Sequence, residues 1–231
     1  MLRILAVGNS FSEDATYYLH QILEIAGVEN QVVNLYIGGC SLEKHWRNIE
    51  KNAREYQFQF NGTKTDRRVT VKEVLKEAKW DVIVTQQASH DSGWLDTYEP
   101  FLGKIVAYFR ENAPEARLFL HETWAYEKSS DHESFARYNR DQQEMFDRLQ
   151  SAVSVSETAL LLRMEECFVF YSADCLLLCL TNTFSSISET AKCTTMPKPN
   201  IRIKQICGGR NILLLGCQIN GTEISKQRSA R

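Results

Sequence analysis

LRILAVG, residues 2–8, followed at once by Asn9 and Ser10, is the stretch of sequence that decides the fold. An unbroken apolar run of this length is typical of a strand that is buried on both faces of a parallel sheet. Ser12 can cap a helix after this strand, since the acidic residues that follow it suit the positive end of a helix dipole. The chain therefore begins with a predicted strand, a tight turn that contains Ser10, and a helix.

The same alternation of strand and helix continues to about residue 150. Further strands are predicted at Gln31–Ile37, Asp81–Thr85 and Arg117–His121. Helices are predicted from Ser41, from Thr70 with its capping partner Glu73, over Tyr98–Asn112 and over His132–Gln150. The pair Asn61-Gly62 indicates a hairpin or loop turn. Strands that alternate with helices predict an α/β domain whose parallel sheet is covered on both faces.

In such a sheet, ligands bind where the carboxyl ends of the strands meet. The segments at those ends are GNSFS (8–12), GGCS (38–41), QQASHDSG (86–93) and HETWAY (121–126). They hold the most unusual side chains of the first 150 residues, so the sequence predicts an active site at this edge. Trp94, Trp124 and Tyr126 are candidate walls of a pocket, and simple packing is the alternative.

Ser10 is the candidate nucleophile. A hydroxyl at a strand-to-helix turn can be exposed and also close to helix N–H groups that stabilise an oxyanion. The alternative is that Ser10 or Ser12 serves only as an N-cap.

Three residues at the other strand ends are candidate oxyanion donors. Gly39 lets the backbone approach a ligand and offer its N–H, and an ordinary turn is the alternative. The side chains of Gln87 and His90 can donate a hydrogen bond to a developing negative charge. For His90, and for His121 at the fourth strand end, the alternative is a structural hydrogen bond.

Taken in order, the blocks GNSFS, IGGCSLEKH, WDVIVTQQASHDSG and LHETWAY are similar to an uncharacterised bacterial branch of the SGNH (GDSL-like) hydrolases. The resemblance covers about residues 2–150. It implies a flavodoxin-like three-layer α/β/α sandwich with Ser10 as nucleophile. It also implies oxyanion donors from the Ser10 backbone, from Gly39 and from an Asn in the third block. We expect no cofactor and no metal.

The sequence departs from the family pattern in three places. Asn9 stands where most members have Asp, and His90 stands where the Asn donor is expected, with Gln87 as a competing donor. The Asp-x-x-His that supplies the general base near the C-terminus is missing, because no histidine follows His132. His121 is the candidate substitute base. Loss of the base typically lowers the rate by several powers of ten.

We therefore expect a serine ester hydrolase of impaired activity, acting on an acetyl or other acyl ester of a small molecule or carbohydrate. The alternative is a non-catalytic module that keeps the pocket for a sugar or an acyl group. A nucleotide or phosphate binder ranks lower, because the first loop has only Gly8 and lacks a GxGxxG or GK[ST] motif.

Composition limits the partners. A hydrophobic content of 43%, a charged content of 24% and a net charge of −2 are ordinary for a globular protein and give no reason to expect nucleic acid. The longest apolar run, near Cys175–Leu180, is too short for a membrane span. MLRILAVGNSF is typical of a first strand, so we expect a cytoplasmic protein; an exported precursor that has lost its signal is the alternative.

Residues 151–231 differ in composition from residues 1–150. Six of the seven cysteines lie after residue 166, whereas every histidine and tryptophan lies before residue 133. A cysteine-rich metal or disulfide module is one interpretation of this segment, but the cysteine spacings are not those of a zinc site. We therefore interpret this segment as divergent, with a frameshift as the hypothesis that sequencing of the gene would test. Strands at Leu160–Leu162 and Phe168–Tyr171 would complete the sheet in part, and poor order is expected after Thr195.

Overall fold

The computed structural model describes residues 1–158 and the backbone of residues 169 and 170, and in that part of the chain seven strands form one sheet. The strands are β1 (Leu2–Gly8), β2 (Asn30–Tyr36), β3 (Tyr56–Phe60), β4 (Thr63–Val69), β5 (Val82–Thr85), β6 (Arg117–His121) and β7 (Val169–Phe170). The α-helices are α1 (Ser10–Tyr17), α2 (Leu19–Ile25), α3 (Leu42–Glu50), α4 (Val71–Glu77), α5 (Phe101–Asn112) and α6 (Gln142–Val155). Short 3-10 helices cover Leu95–Thr97 and Glu133–Tyr138.

The strand order is β4-β3-β2-β1-β5-β6-β7. The strands from β2 to β7 in this order are parallel, whereas β3 and β4 form an antiparallel hairpin on the edge of β2. The predicted α/β sandwich is confirmed as a mostly parallel sheet flanked by helices. The hairpin turns at Asn61 and Gly62, where the sequence predicted a hairpin or loop turn.

Strand β1 is buried on both faces, as its unbroken apolar run predicts. Leu5 and Val7 join a core cluster that includes residues of α3, α4 and α5. Ile4 and Ala6, which alternate with them, are equally buried; α1 contacts β1 and β2, and α2 contacts β2. Burial from both sides fixes the end of β1, and so fixes the turn that carries Ser10.

The first helix differs from the prediction in its cap. Asn9, and not Ser12, is the N-cap, since its side-chain oxygen accepts a hydrogen bond from the Phe11 N–H. Ser12 is buried in the first turn, where its hydroxyl donates to the Asn9 carbonyl at 2.8 Å. Both residue types are good caps, so the sequence alone does not decide between them.

The segment His132–Gln150, predicted as one helix, is broken in the structure. A 3-10 helix ends before Asn139 and Arg140, which adopt the left-handed conformation with φ near 52° and 53°. Asp141 then caps α6 by accepting from the N–H groups of Gln143 and Glu144. The inward-facing residues are confirmed, because the buried set of this segment is Phe135, Tyr138, Met145 and Leu149. The helix predicted from Tyr98 begins only at Phe101.

Strand β7 lies within the predicted stretch 168–171 and pairs with β6 in parallel register. The other predictions for the C-terminal segment, namely the strand at Leu160–Leu162, the cysteine-rich region and the poor order after Thr195, lie outside the described residues. Among the described helices, none combines the length and the apolar character that crossing a membrane requires.

Candidate active site

Asn9 holds together three of the strand-end segments. Its buried side-chain nitrogen donates to the Cys40 carbonyl at 2.9 Å and to the Gln87 carbonyl at 3.4 Å. Its side-chain oxygen accepts from the Phe11 N–H at 3.1 Å. One amide therefore links the turn that carries Ser10 to the GGCS segment and to the QQASH segment.

Ser10 is the first residue of α1, and its side chain is exposed. The neighbouring first-turn amides have acceptors: Phe11 bonds to Asn9, and the Gln86 side-chain oxygen, when turned toward the helix, accepts from Asn9 and Ser12 at 3.1 Å each. Within residues 1–158, the Ser10 N–H and the Ser10 hydroxyl have no hydrogen-bond partner. An exposed hydroxyl beside an unused helix N–H can combine a nucleophile with an oxyanion donor.

Gln86 is a structural residue of this site that the sequence reasoning missed. Its side chain is fully buried below the turn. A Cβ atom at residue 8 would overlap the Gln86 amide, so Gly8 is the residue that allows this amide to reach the first turn of α1. A polar residue directly after a buried apolar strand, opposite a glycine in the neighbouring strand, is the signal that could have found it.

The second and third segments present two of the predicted oxyanion donors. Gly39 is exposed and has φ of 58°, next to the buried Cys40 that Asn9 holds. The Gln87 amide is occupied: its oxygen accepts from the N–H groups of Leu42 and Ala88 at 2.9 Å each. Its nitrogen donates to the carbonyl and hydroxyl oxygens of Thr97. In this structure Gln87 thus braces the loops around the site.

His90 lies further along the same loop and is partly exposed. Its Nε2 is 3.4 Å from Asp91 Oδ2, and Asp91 Oδ1 forms an ion pair with Arg137 at 2.7 Å. On the same loop the Ser89 hydroxyl is hydrogen-bonded to the phenol of Tyr126. The imidazole of His90 therefore belongs to a charged cluster beside the loop, and Tyr126 is a contact that sequence reasoning treated only as a candidate wall.

His121, the candidate substitute base, is buried at the carboxyl end of β6. Burial lowers its pKa to about 4, because the charged imidazolium is poorly solvated there. The ring of Trp124 lies near both regions, since its centroid is 6.0 Å from that of His121 and 4.5 Å from that of Phe11. His121 is thus brought to the same edge as Ser10 in a neutral but weakly basic form.

The thiol of Cys40 is unsuited to act as a nucleophile. Burial raises its pKa to about 12, so the reactive thiolate is not populated at neutral pH. Behind it, Nδ1 of the buried His45 lies 3.0 Å from the Tyr56 hydroxyl, and burial lowers the His45 pKa to about 3. These buried groups pack beneath the GGCS segment that contains Cys40.

The aromatic candidates have different roles. Trp94 is packed between two guanidinium groups, at 5.1 Å from Arg137 and 4.6 Å from Arg148, which indicates a structural role. Trp124 remains 40% exposed and lines a cavity of about 620 Å³. Among the described residues, no group of three or more His, Cys, Asp or Glu side chains is arranged to hold a metal ion.

The family model described as a domain of unknown function, DUF4886, matches residues 3–165. A crystal structure of a DUF4886 family protein from Bacteroides uniformis is 40% identical, with a TM-score of 0.65. This match covers 70% of the present chain but 64% of the Bacteroides chain, so the present chain spans less than two thirds of that relative.

Solved structures that are similar at low identity include SGNH and GDSL-type hydrolases. A candidate SGNH hydrolase from Slackia heliotrinireducens is 20% identical with a TM-score of 0.44, over 74% of this chain and 77% of that one. A psychrotrophic esterase from Pseudoalteromonas sp. is 10% identical with a TM-score of 0.43, over 81% and 97%. No curated protein matches the chain.

Proposed function

This chain belongs to the DUF4886 family, a domain of unknown function, and we propose that it carries an SGNH-type serine ester hydrolase site with Ser10 as the nucleophile. One observation carries the proposal. The buried Asn9 amide donates to the carbonyls of Cys40 and Gln87 and caps the helix that begins at Ser10, so an exposed hydroxyl shares one edge with the loops that carry Gly39 and Gln87.

The proposed reaction uses these groups in the following order. The Ser10 oxygen attacks the carbonyl carbon of the ester while its proton passes to a base. The carbonyl oxygen becomes an oxyanion, which the N–H groups of Ser10 and Gly39 stabilise, with His90 as the third donor. Collapse of this intermediate breaks the bond to the alcohol, which takes up the proton and leaves. Water then hydrolyses the acyl-Ser10 ester by the same steps in reverse.

The base is the weak part of the site. His121 is unprotonated at neutral pH, but with a pKa of about 4 it accepts a proton poorly. Residues 133–231 contain no histidine, so His121 at the carboxyl end of β6 is the candidate base. We therefore propose that the chain hydrolyses small-molecule or carbohydrate esters slowly, with His121 as the substitute base.

Turnover of p-nitrophenyl acetate tests this function. Ser10→Ala should abolish the hydrolysis, whereas Ser154→Ala, which removes an exposed hydroxyl from α6, should leave it unchanged. Wild-type turnover equal to that of Ser10→Ala would overturn the assignment of Ser10. His121→Asn should lower kcat, since it removes the proton acceptor.

The pH profile of the same reaction tests the base. A base with a pKa of about 4 is already deprotonated above about pH 5, so kcat/KM should stay flat from there to about pH 8. A rise centred near pH 6 to 7 would instead point to an ordinary histidine and contradict the role of His121.

The weak basicity of His121 also favours one alternative function, a ligand-binding module that keeps the pocket without turnover. A shift in melting temperature on addition of oligosaccharides, with no hydrolysis by the wild type, would be the mark of that function.

A further inference from the structure

The cavity lined by Trp124, Lys128, Arg140 and Phe146 shares the ring of Trp124 with the Ser10 turn. Trp124 forms one wall, and its ring contacts Phe11, the residue that follows Ser10, in an edge-to-face arrangement. A molecule in this cavity would therefore lie against a ring that also contacts the Ser10 turn. The volume of about 620 Å³ is within the range of ligand pockets.

Two large aromatic side chains on this cavity are left exposed. Trp124 is 40% exposed and Phe146 is 47% exposed, although both have apolar ring faces whose burial would be favourable. Trp124 is also held in place by its contacts to Phe11 and His121. A fixed, exposed ring of this kind offers a flat apolar face on which another ring can lie.

The cavity also has two positive charges without a carboxylate partner. Within residues 1–158 neither Lys128 nor Arg140 forms an ion pair, and the Arg140 guanidinium only donates to the Ser130 carbonyl at 3.4 Å. The left-handed conformation of Arg140 places it in the break before α6. A guanidinium and an ammonium that lack a partner favour a carboxylate on the ligand.

Among the described residues that line the cavity, Asp141 is the only carboxylate, and it does not cancel these charges. Asp141 caps α6, and its Oδ1 accepts from the N–H groups of Gln143 and Glu144 at 2.8 and 3.0 Å. Its charge is therefore largely compensated by the positive end of the helix. The described lining of the cavity thus combines flat apolar walls with a net positive charge.

We propose that this cavity is a subsite for an acidic oligosaccharide, a chain of sugar rings that carry carboxylates. The ring faces stack on Trp124 and Phe146, and the carboxylates bind Lys128 and Arg140. This inference rests on the proposed function, because it names the class of substrate that would bind at the same edge of the sheet. The acidic saccharide is the part of the ester substrate that lies outside the reacting bond.

Binding can be measured without turnover in the Ser10→Ala variant of the full chain. Calorimetry would compare a galacturonate trisaccharide with the neutral galactose trisaccharide of the same linkage. The acidic trisaccharide should bind at least about tenfold more tightly, because charge-assisted hydrogen bonds are available only to it. Its affinity should fall with added NaCl, since the cations are near the surface.

Variants separate the two parts of the subsite. Lys128→Gln with Arg140→Gln should remove the preference for the acidic trisaccharide, and Trp124→Ala should weaken both sugars. Lys51→Gln with Lys72→Gln, which also removes two exposed cations, should change neither affinity.

Equal affinity for the two trisaccharides, or no binding of either, would overturn the subsite. That failure is distinct from failure of the proposed function, which depends on the reactivity of Ser10 in the wild type. Tight binding of the acidic sugar with an unreactive Ser10 supports the subsite and removes the esterase.

Discussion

At the scale of single residues, Asn9 links three segments of the candidate site. Its oxygen caps α1, and its nitrogen holds the carbonyls of Cys40 and Gln87. A carboxylate at this position would keep the cap but would turn a negative oxygen toward two carbonyl oxygens. The two carbonyl contacts therefore explain why Asn suits this turn, at a position where the family that the chain resembles has Asp.

Asn9→Asp should destabilise the protein by about 2 to 3 kcal/mol at pH 7, since it leaves two buried carbonyls without a donor and buries a charge. Burial should raise the pKa of the new carboxyl above its unfolded value of about 3.9, so the loss should shrink as the pH falls toward 4. Urea unfolding at pH 4.5 and pH 7 would measure this. Asn112→Asp, at an exposed helix end, is the matched control, and equal losses at both pH values would contradict the account.

Gly8 and Gln86 form a second residue-scale pair. Gly8→Ala should cost about 2 kcal/mol or more, because the added methyl displaces a buried amide. Gln86→Ala should also destabilise, since it leaves the Asn9 and Ser12 N–H groups without an acceptor. In the double variant the methyl group meets no amide. The double variant should therefore lose less free energy of unfolding than the two single variants lose together. Strict additivity in a denaturation cycle would show that the pair is not coupled.

At the scale of elements, the hairpin β3–β4 depends on close contact with α1. Gly62 and Gly27 have similar backbone conformations, with φ of 79° and 75°, but a Cβ atom at Gly62 would overlap the Tyr17 carbonyl and one at Gly27 would meet nothing. Gly27→Ala should therefore cost about 1 kcal/mol for its backbone strain alone.

Gly62→Ala should cost clearly more, by about 1 kcal/mol or above, because strain and overlap add. Urea unfolding of the two variants gives the comparison directly. Losses of the same size would mean that α1 and the hairpin turn are free to move apart.

The elements also show what the sequence can predict. The predicted bounds of strands β1, β2, β5 and β6 agree with the structure to within one residue, because strands buried on both faces have an unbroken apolar sequence. The antiparallel strands gave a weaker signal: β4 is mostly exposed, and only its turn was foreseen. The break before α6 depends on the cap at Asp141, a local contact that periodicity does not register.

At the scale of the whole molecule, two buried histidines link stability to pH. Burial lowers the pKa of His45 to about 3 and that of His121 to about 4, whereas in the unfolded chain each titrates near 6.5. Below pH 6.5 the unfolded chain binds more protons, so the folded protein loses stability as the pH falls. Each histidine contributes up to about 1.4 kcal/mol per pH unit between about pH 6 and its folded pKa.

His45→Gln should remove one of these contributions. The free energy of unfolding should then fall less steeply between pH 6 and pH 4.5 than in the wild type, by up to about 1.4 kcal/mol per unit. Between pH 7 and 8.5 the two slopes should coincide, since both histidines are neutral in both states. Carboxylates titrate alike in the two proteins, so a difference in slope isolates His45; identical slopes in acid would rule out its burial.

The candidate site was predictable to a different extent from the fold. Ser10 and Gly39 follow from strand ends, because parallel strands bring their carboxyl ends to one edge. The role of Asn9 as a link, the burial of Gln86 and the occupied amide of Gln87 depend on side-chain partners distant in sequence. No local sequence pattern encodes such contacts, so the three-dimensional structure is needed to identify these roles.

Site-specific labelling by a fluorophosphonate, followed by mass spectrometry, tests the central claim most directly. If an exposed Ser10 hydroxyl sits beside oxyanion donors but has a weak base, the wild type should form one slow adduct at Ser10. Added imidazole should accelerate it by supplying a base, and Ser10→Ala should form none. A wild type that stays unlabelled at Ser10, with imidazole or without it, would contradict the account.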